Sequence, residues 1–302
     1  MIAVPVQSVR NNFIVAMLIL AWFAATAWAR PLMLPDEGRY VGIALEMMMS
    51  GSWLTPMLDG LPFFHKPPLF YWLTGGALSV FGVNEWAARF ASILGATVGA
   101  FTLYFYAVHQ VSRRFAKLVL LVLLTQPLFF SGAQFANLDM LVAGCISATI
   151  LLAALAADRA DRGLPFRRPL ALAYLLAAAG VLAKGLIGAV LPGLVIVIWL
   201  IVMRRFGALR AMLWWPGFFL FGIVVAPWFI AMQMQFPDFF DYFFVVQHFR
   251  RFAQGGFNNV QPFWFYPVLL IVFTLPWFAW LYRSAGRAYW RNAEHRPERM
   301  LM

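Results

Sequence analysis

The residues of this chain best suited to chemistry are acids and bases set at the edges of long apolar runs. Asp36, Glu37 and Arg39 stand together in "LPDEGRY", Lys66 in "FHKPP", Asp139 in "NLDM", Lys184 in "AKG", and His248, Arg250 and Arg251 in "QHFRRF". Ionised side chains near hydrocarbon are costly, so such positions read first as functional. A carboxylate within hydrogen-bond reach of a nucleophile serves as general base. Lysine holds a phosphate as a point charge and arginine as a planar fork. Preorganised cations stabilise the charge that a departing phosphate develops. Acids and cations on one face therefore describe displacement of a lipid phosphate leaving group. His65 and His248 are candidates for a divalent metal ion, although they come from separate segments with no close-spaced ligand motif. For Arg30, Arg89, Asp59 and Glu85 the expectation is plainer: solvated or snorkelling charges at helix ends.

Positioning these groups falls to a membrane-embedded helical scaffold. Of 302 residues, 63% are hydrophobic, 18% aromatic and only 12% charged, which reads as an all-α, polytopic membrane protein. Eight apolar stretches are candidate spans, near 13–29, 88–108, 118–133, 140–157, 169–183, 186–203, 212–232 and 263–282. The first reads as an uncleaved anchor rather than a signal peptide, and Lys184-Gly185 is the weakest boundary. The long outer loop 30–87 is expected to contain a short amphipathic helix from Glu37 to Met49, a turn-rich connector from Gly51 to Gly60, and an aromatic interfacial helix after Pro67-Pro68.

Charge tests this topology. With the N-terminus cytoplasmic, 16 of the 23 Lys and Arg residues fall on the inner side, including Arg113, Arg114, Lys117, Arg167, Arg168 and Arg210. That asymmetry satisfies the positive-inside rule and explains the net charge of +11 without nucleic acid. Asp36, Glu37, Lys66, Asp139, Lys184, His248, Arg250 and Arg251 then share the outer side, while Asp158 and Asp161 stay inside among arginines. The single cysteine, Cys145, can form no intramolecular disulfide. There is no Walker loop and no GxGxxG pattern. An inverted internal repeat is also missing, which weighs against a transporter plan.

The stretches "PDEGRY", "GSWLTPMLDGLPFFHKPPLFYWL", "FGVNEWAARF", "FANLDML", "LAKGLIGAVLP" and "FFVVQHFRRF" resemble, in order, the C-type-fold membrane glycosyltransferases. The match is strongest to the lipid A 4-amino-4-deoxy-L-arabinose transferase group and more distant to protein O-mannosyltransferases. The resemblance implies inverting transfer of a sugar, that aminoarabinose or a hexose, from undecaprenyl phosphate to an envelope acceptor such as lipid A, at the periplasmic face of the bacterial inner membrane. It implies Asp36 as base or acceptor-orienting carboxylate, Asp139 as its support, and Glu37 and Arg39 as positioning groups in the same catalytic set. Lys66, Arg251, Lys184 and Arg39 would hold the carrier phosphate, with His248 and Arg250 positioning substrate. Relatives commonly carry glutamate where this chain has His65, which bears on metal use. They are also longer, so residues 1–285 are expected to form the transferase module and 286–302 a basic cytoplasmic tail, without the further spans and periplasmic domain. A lipid-linked sugar flippase and a truncated inactive family member are the alternative readings.

Overall fold

The structure is a computed structural model that describes residues 6–250 and 261–279, apart from the side chains of 6–9 and 248–250. Thirteen helices and one minimal hairpin account for the described residues. The helices are α1 (Val6–Ala24), α2 (Asp36–Ser50), α3 (Leu69–Phe81), α4 (Glu85–Gln110), α5 (Arg113–Leu124), α6 (Pro127–Ala133), α7 (Leu138–Asp161), α8 (Arg167–Lys184), α9 (Ile187–Val202), α10 (Phe206–Met212), α11 (Trp215–Gln235), a π-helix (Asp241–Arg250) and α12 (Phe265–Thr274). Strands β1 (Met57–Leu58) and β2 (Leu61–Pro62) pair antiparallel across the end of the expected 51–60 connector, β2 lying just beyond it.

Among the described residues three helices, α4, α7 and α11, are long and apolar enough to cross a bilayer, and α5 with α6 makes a fourth if the bent pair is one span. The sequence had suggested eight. The run 118–133 is not one rod: Pro127 supplies no backbone donor to continue the helix, and α5 and α6 meet at 69°. The remaining apolar helices, including α9 and α12, are shorter than a straight span requires. The boundary at Lys184-Gly185 is a true helix end. Gly185 adopts φ 95°, where a side chain would be strained, and α9 starts two residues later.

The central pair is α4 and α7, which run in the same direction. Asn84 and Asn137 cap their first turns by accepting the backbone N–H of Ala87 and Asp139, each at 2.9 Å. The helices cross with Gly95 against the backbone of Met140 and Leu141, so close that a Cβ on Gly95 would lie 2.6 Å from the Met140 carbonyl oxygen. Only glycine permits that approach. At the far end, Gln110 Nε2 donates to Asp158, and Arg205 donates to Asp158 at 2.6 Å and Asp161 at 2.7 Å. This clamp joins α4, α7 and the turn between α9 and α10. Helix α8 returns antiparallel along α7, and its last residue, Lys184, reaches Asp139. Helix α1 buries Ile19 and Phe23 against Ile93, Ala96 and Ala100 of α4.

Candidate active site

The first turns of α2, α4 and α7 and the last turn of α8 gather at one end of the bundle, and a single buried carboxylate ties three of them together. Glu37 has no exposed surface. Its Oε1 accepts from Arg89 Nε at 3.0 Å and the Ala136 N–H at 2.8 Å. Its Oε2 accepts from Arg30 Nη1 at 2.5 Å, the Met33 N–H at 2.9 Å and Arg89 Nη2 at 3.4 Å. Burial pushes the Glu37 pKa up, but the hydrogen bonds from Arg30, Arg89, Ala136 and Met33 outweigh it and hold the carboxyl below its ordinary value.

Arg89 is 1% exposed and completes its coordination on the carbonyls of Ala27, Arg30 and Pro31. The expectation of a snorkelling Arg89 is therefore overturned, and Arg30, which donates to Glu37 and to the Gln134 carbonyl, is likewise no idle surface charge. Burying an acid among apolar helices requires a paired cation and full hydrogen bonding. Sequence reasoning missed that partnership. The available signal was the context of Arg89 in α4, three residues before Ser92 and seven before Ala96, on a face of small residues that is wholly buried. Asp59 and Glu85 fit the simpler expectation, exposed in the hairpin turn and half-buried in the first turn of α4.

Glu37, expected as a positioning group of the catalytic set, is held from every side. With five hydrogen bonds and no exposed surface, it anchors the fold and offers no lone pair to an incoming acceptor. Its neighbour Asp36 differs. It begins α2 about 100° around the helix from Glu37, 53% exposed, and pairs with Arg39 at 3.8 Å. Arg39 is itself exposed, so a solvated pair of this kind contributes little to stability and keeps both groups accessible.

Asp139 sits in the first turn of α7, pairs with Lys184 Nζ, and receives a 3.3 Å contact from Asn137 Nδ2. The loop before it is held on every side. Gln134 Nε2 donates to the Phe23 carbonyl at 2.7 Å, the Ala136 N–H to Glu37, and Ser92 Oγ to the carbonyls of Phe135 and Asn137. The knot around Glu37 thus fixes the start of α7, hence Asp139, relative to the start of α2, hence Asp36.

His65 and Lys66 occupy the turn between β2 and α3. Phe63 N–H donates to the Pro56 carbonyl at 2.8 Å, and the Phe64 ring packs on Phe236 at 4.7 Å, Phe239 and Tyr242. Pro67-Pro68 then lead into α3 without backbone donors left over. From the other flank, Trp228 Nε1 donates to the Leu54 carbonyl at 2.9 Å and Thr55 Oγ1 to Gln235 at 3.0 Å. The Lys66 turn is thereby seated between α11 and the π-helix. Tyr242 of that π-helix lies 5.9 Å, ring to ring, from His65, and the same helix leads toward Arg251. Arg251 lies outside the described residues, as do the side chains of His248 and Arg250 and the whole 286–302 tail. Among the described residues no three His, Cys, Asp or Glu side chains come together as a metal ion would need.

This architecture, helical spans carrying acids and lysines at one end, is that of a polyprenyl-phosphate-dependent membrane glycosyltransferase. The family model described as dolichyl-phosphate-mannose-protein mannosyltransferase matches residues 65–230, and the chain belongs to that family. Among curated relatives it is similar to the undecaprenyl phosphate-alpha-4-amino-4-deoxy-L-arabinose arabinosyl transferase of Erwinia tasmaniensis, 33% identical over 285 residues that cover 92% of this chain and 51% of that one. The corresponding enzyme 1 of Sodalis glossinidius is 34% identical over 280 residues, covering 89% and 48%. Among solved structures, ArnT from Cupriavidus metallidurans bound to undecaprenyl phosphate superposes with a TM-score of 0.84 at 30% identity, covering 98% of this chain and 53% of that one. The chain spans about half the length of the curated relatives it matches.

Proposed function

We propose that this chain acts as a transferase that moves a sugar, 4-amino-4-deoxy-L-arabinose or a hexose, from undecaprenyl phosphate to an envelope acceptor such as lipid A. The observation that carries the reading is the separation of roles within Asp36-Glu37: a fully buried anchor beside an exposed carboxylate, at the same end as Asp139 and Lys184. The similarity to a solved relative with bound undecaprenyl phosphate, over nearly the whole chain, supports the donor class.

In this mechanism Asp36 takes the proton from an acceptor hydroxyl or phosphate. The acceptor oxygen bonds to the anomeric carbon from the face opposite the carrier, the bond from that carbon to the phosphate oxygen breaks, and polyprenyl phosphate leaves with inverted stereochemistry at the sugar. Lys66 and Arg251 neutralise the charge gathering on the leaving phosphate, with Arg39 and Lys184 as further cations and His248 and Arg250 positioning substrate. Asp139 holds Lys184 in line. The active face is periplasmic, the N-terminus cytoplasmic, and residues 1–285 cross the inner membrane eight times, the short helices spanning by local thinning of the bilayer and snorkelling of their flanking residues.

A flippase would need ionisable groups along the middle of its helices. In α7 the charges occupy only the first and last turns, and α9 and α11 carry none. Mass spectrometry of lipid A and other envelope glycans, with and without the gene, tests the proposal. Loss of one defined sugar mass supports it. An unchanged glycan profile overturns it.

A further inference from the structure

We infer that the arginine-rich end of the bundle, opposite Asp36, holds an anionic phospholipid, one acyl chain lying in an apolar cavity and the headgroup phosphate meeting Arg167 and Arg210. The cavity, about 440 Å³, opens between α7, α8, α9, α10 and α11, with Ala177, Tyr174, Pro192, Gly193, Met212 and Phe218 among its walls. That is within the ~300–1,000 Å³ typical of ligand sites. It is open to the surroundings, with Leu213 and Phe218 in its wall 68% and 47% exposed.

Its interior suits hydrocarbon. The polar side chains in the wall are already satisfied internally: Tyr174 Oη donates to the Met212 carbonyl at 2.7 Å, and Thr149 Oγ1 to the Cys145 carbonyl at 2.8 Å. Its rim suits an anion. On α8 the lining stripe runs Leu170, Ala173, Tyr174, Ala177, and Arg167 continues that face one turn earlier. On α10, Arg210 adjoins the lining Leu209 and sits three residues before the lining Leu213. Both arginines are exposed. Among the described residues neither arginine pairs with an acid: Asp158 and Asp161 both turn to Arg205. An apolar slot with a cationic rim between membrane helices is the form in which anionic headgroups are recognised. This site is independent of the transferase reading.

The test is native mass spectrometry of the full chain, released from bilayers containing phosphatidylglycerol and phosphatidylcholine with identical acyl chains. Phosphatidylglycerol is expected to be retained preferentially. The double variant Arg167→Gln/Arg210→Gln should lose roughly thirty-fold of that retention, two cations' worth, while Arg167→Lys/Arg210→Lys keeps most of it. Gly193→Leu, at a position with open space around its Cα, should lower retention of both lipids with the thermal melt unchanged. Equal retention of the two lipids by the unaltered chain overturns the inference, as does insensitivity to the glutamine or leucine changes. Displacement of phosphatidylglycerol by added undecaprenyl phosphate, abolished by Gly193→Leu, would reassign the cavity to the polyprenyl carrier.

Discussion

Arg89 Nε lies 3.0 Å from Glu37 Oε1 with both side chains withdrawn from solvent. This pair links the second turn of α4 to the first turn of α2, and through Ala136 to the start of α7. Removing one partner strands the other as an unpaired buried charge, which costs about 3–5 kcal/mol. Arg89→Met should therefore lower the melting temperature in detergent markedly. A melt indistinguishable from the unaltered protein would remove Glu37 and Arg89 from the role of anchor.

Asp36 stands beside this anchor but outside it. Because its carboxylate is exposed and its contact with Arg39 is solvated, Asp36→Asn should leave the melt within about 0.5 kcal/mol of the original. Sugar transfer from the lipid-linked donor should nevertheless fall by a factor on the order of 10²–10⁴, the contribution of a general base. Full activity in this variant would contradict the assignment of the base.

Lys66 is proposed to meet the carrier phosphate as a point charge. Lys66→Ala should abolish transfer, while Lys66→Arg should retain part of it by keeping the charge in a different geometry. Initial rates at saturating and limiting donor separate lost binding from lost turnover.

The Asp139–Lys184 pair is partly solvated, at 62% and 32% exposure, so its stabilising contribution should stay within about 0–1 kcal/mol. A double-mutant cycle with Asp139→Asn and Lys184→Met measures it through stability and transfer rate together. Weak coupling in the melts with strong coupling in the rates is the expected outcome. Strong coupling in the melts alone would make the pair structural.

The pH dependence of stability should carry the signature of Glu37. Its carboxyl is held below the ordinary 4.5 in the folded chain, so between the two values the unfolded state binds more protons and stability rises with pH. The contribution is complete above 4.5 and disappears as pH falls through the lower folded value. Acid melts of Glu37→Gln should lack this component, and an identical acid limb in both proteins would contradict it.

Much of the scaffold was legible in the sequence because apolar runs, caps and glycines act locally. The expected helix from Glu37 to Met49 is α2, the aromatic segment after Pro67-Pro68 is α3, and the 51–60 connector runs into the first strand of a minimal hairpin. Long apolar stretches named α4, α7 and α11. The bend at Pro127 was harder, since hydropathy averages over the break that one missing N–H introduces.

Sequence also separated the acids by side. Asp36, Glu37 and Asp139 share one end with Lys184, and Asp158 and Asp161 lie at the other with Arg205, because alternating helices fix which termini meet. What it could not divide was Asp36 from Glu37, two adjacent carboxylates of nearly equal chemistry. Their positions differ by about 100° around α2, and only the packing of α1, α4 and the 134–137 loop decides which one faces inward. Arg89, 52 residues away, makes that decision energetically necessary: a buried guanidinium requires a carboxylate, and Glu37 is the one it can reach. The types of residue and the end of the bundle they share belong to the sequence. The assignment of anchor and exposed carboxylate belongs to the tertiary structure, because burial and pairing are properties of neighbours that the chain brings together only on folding.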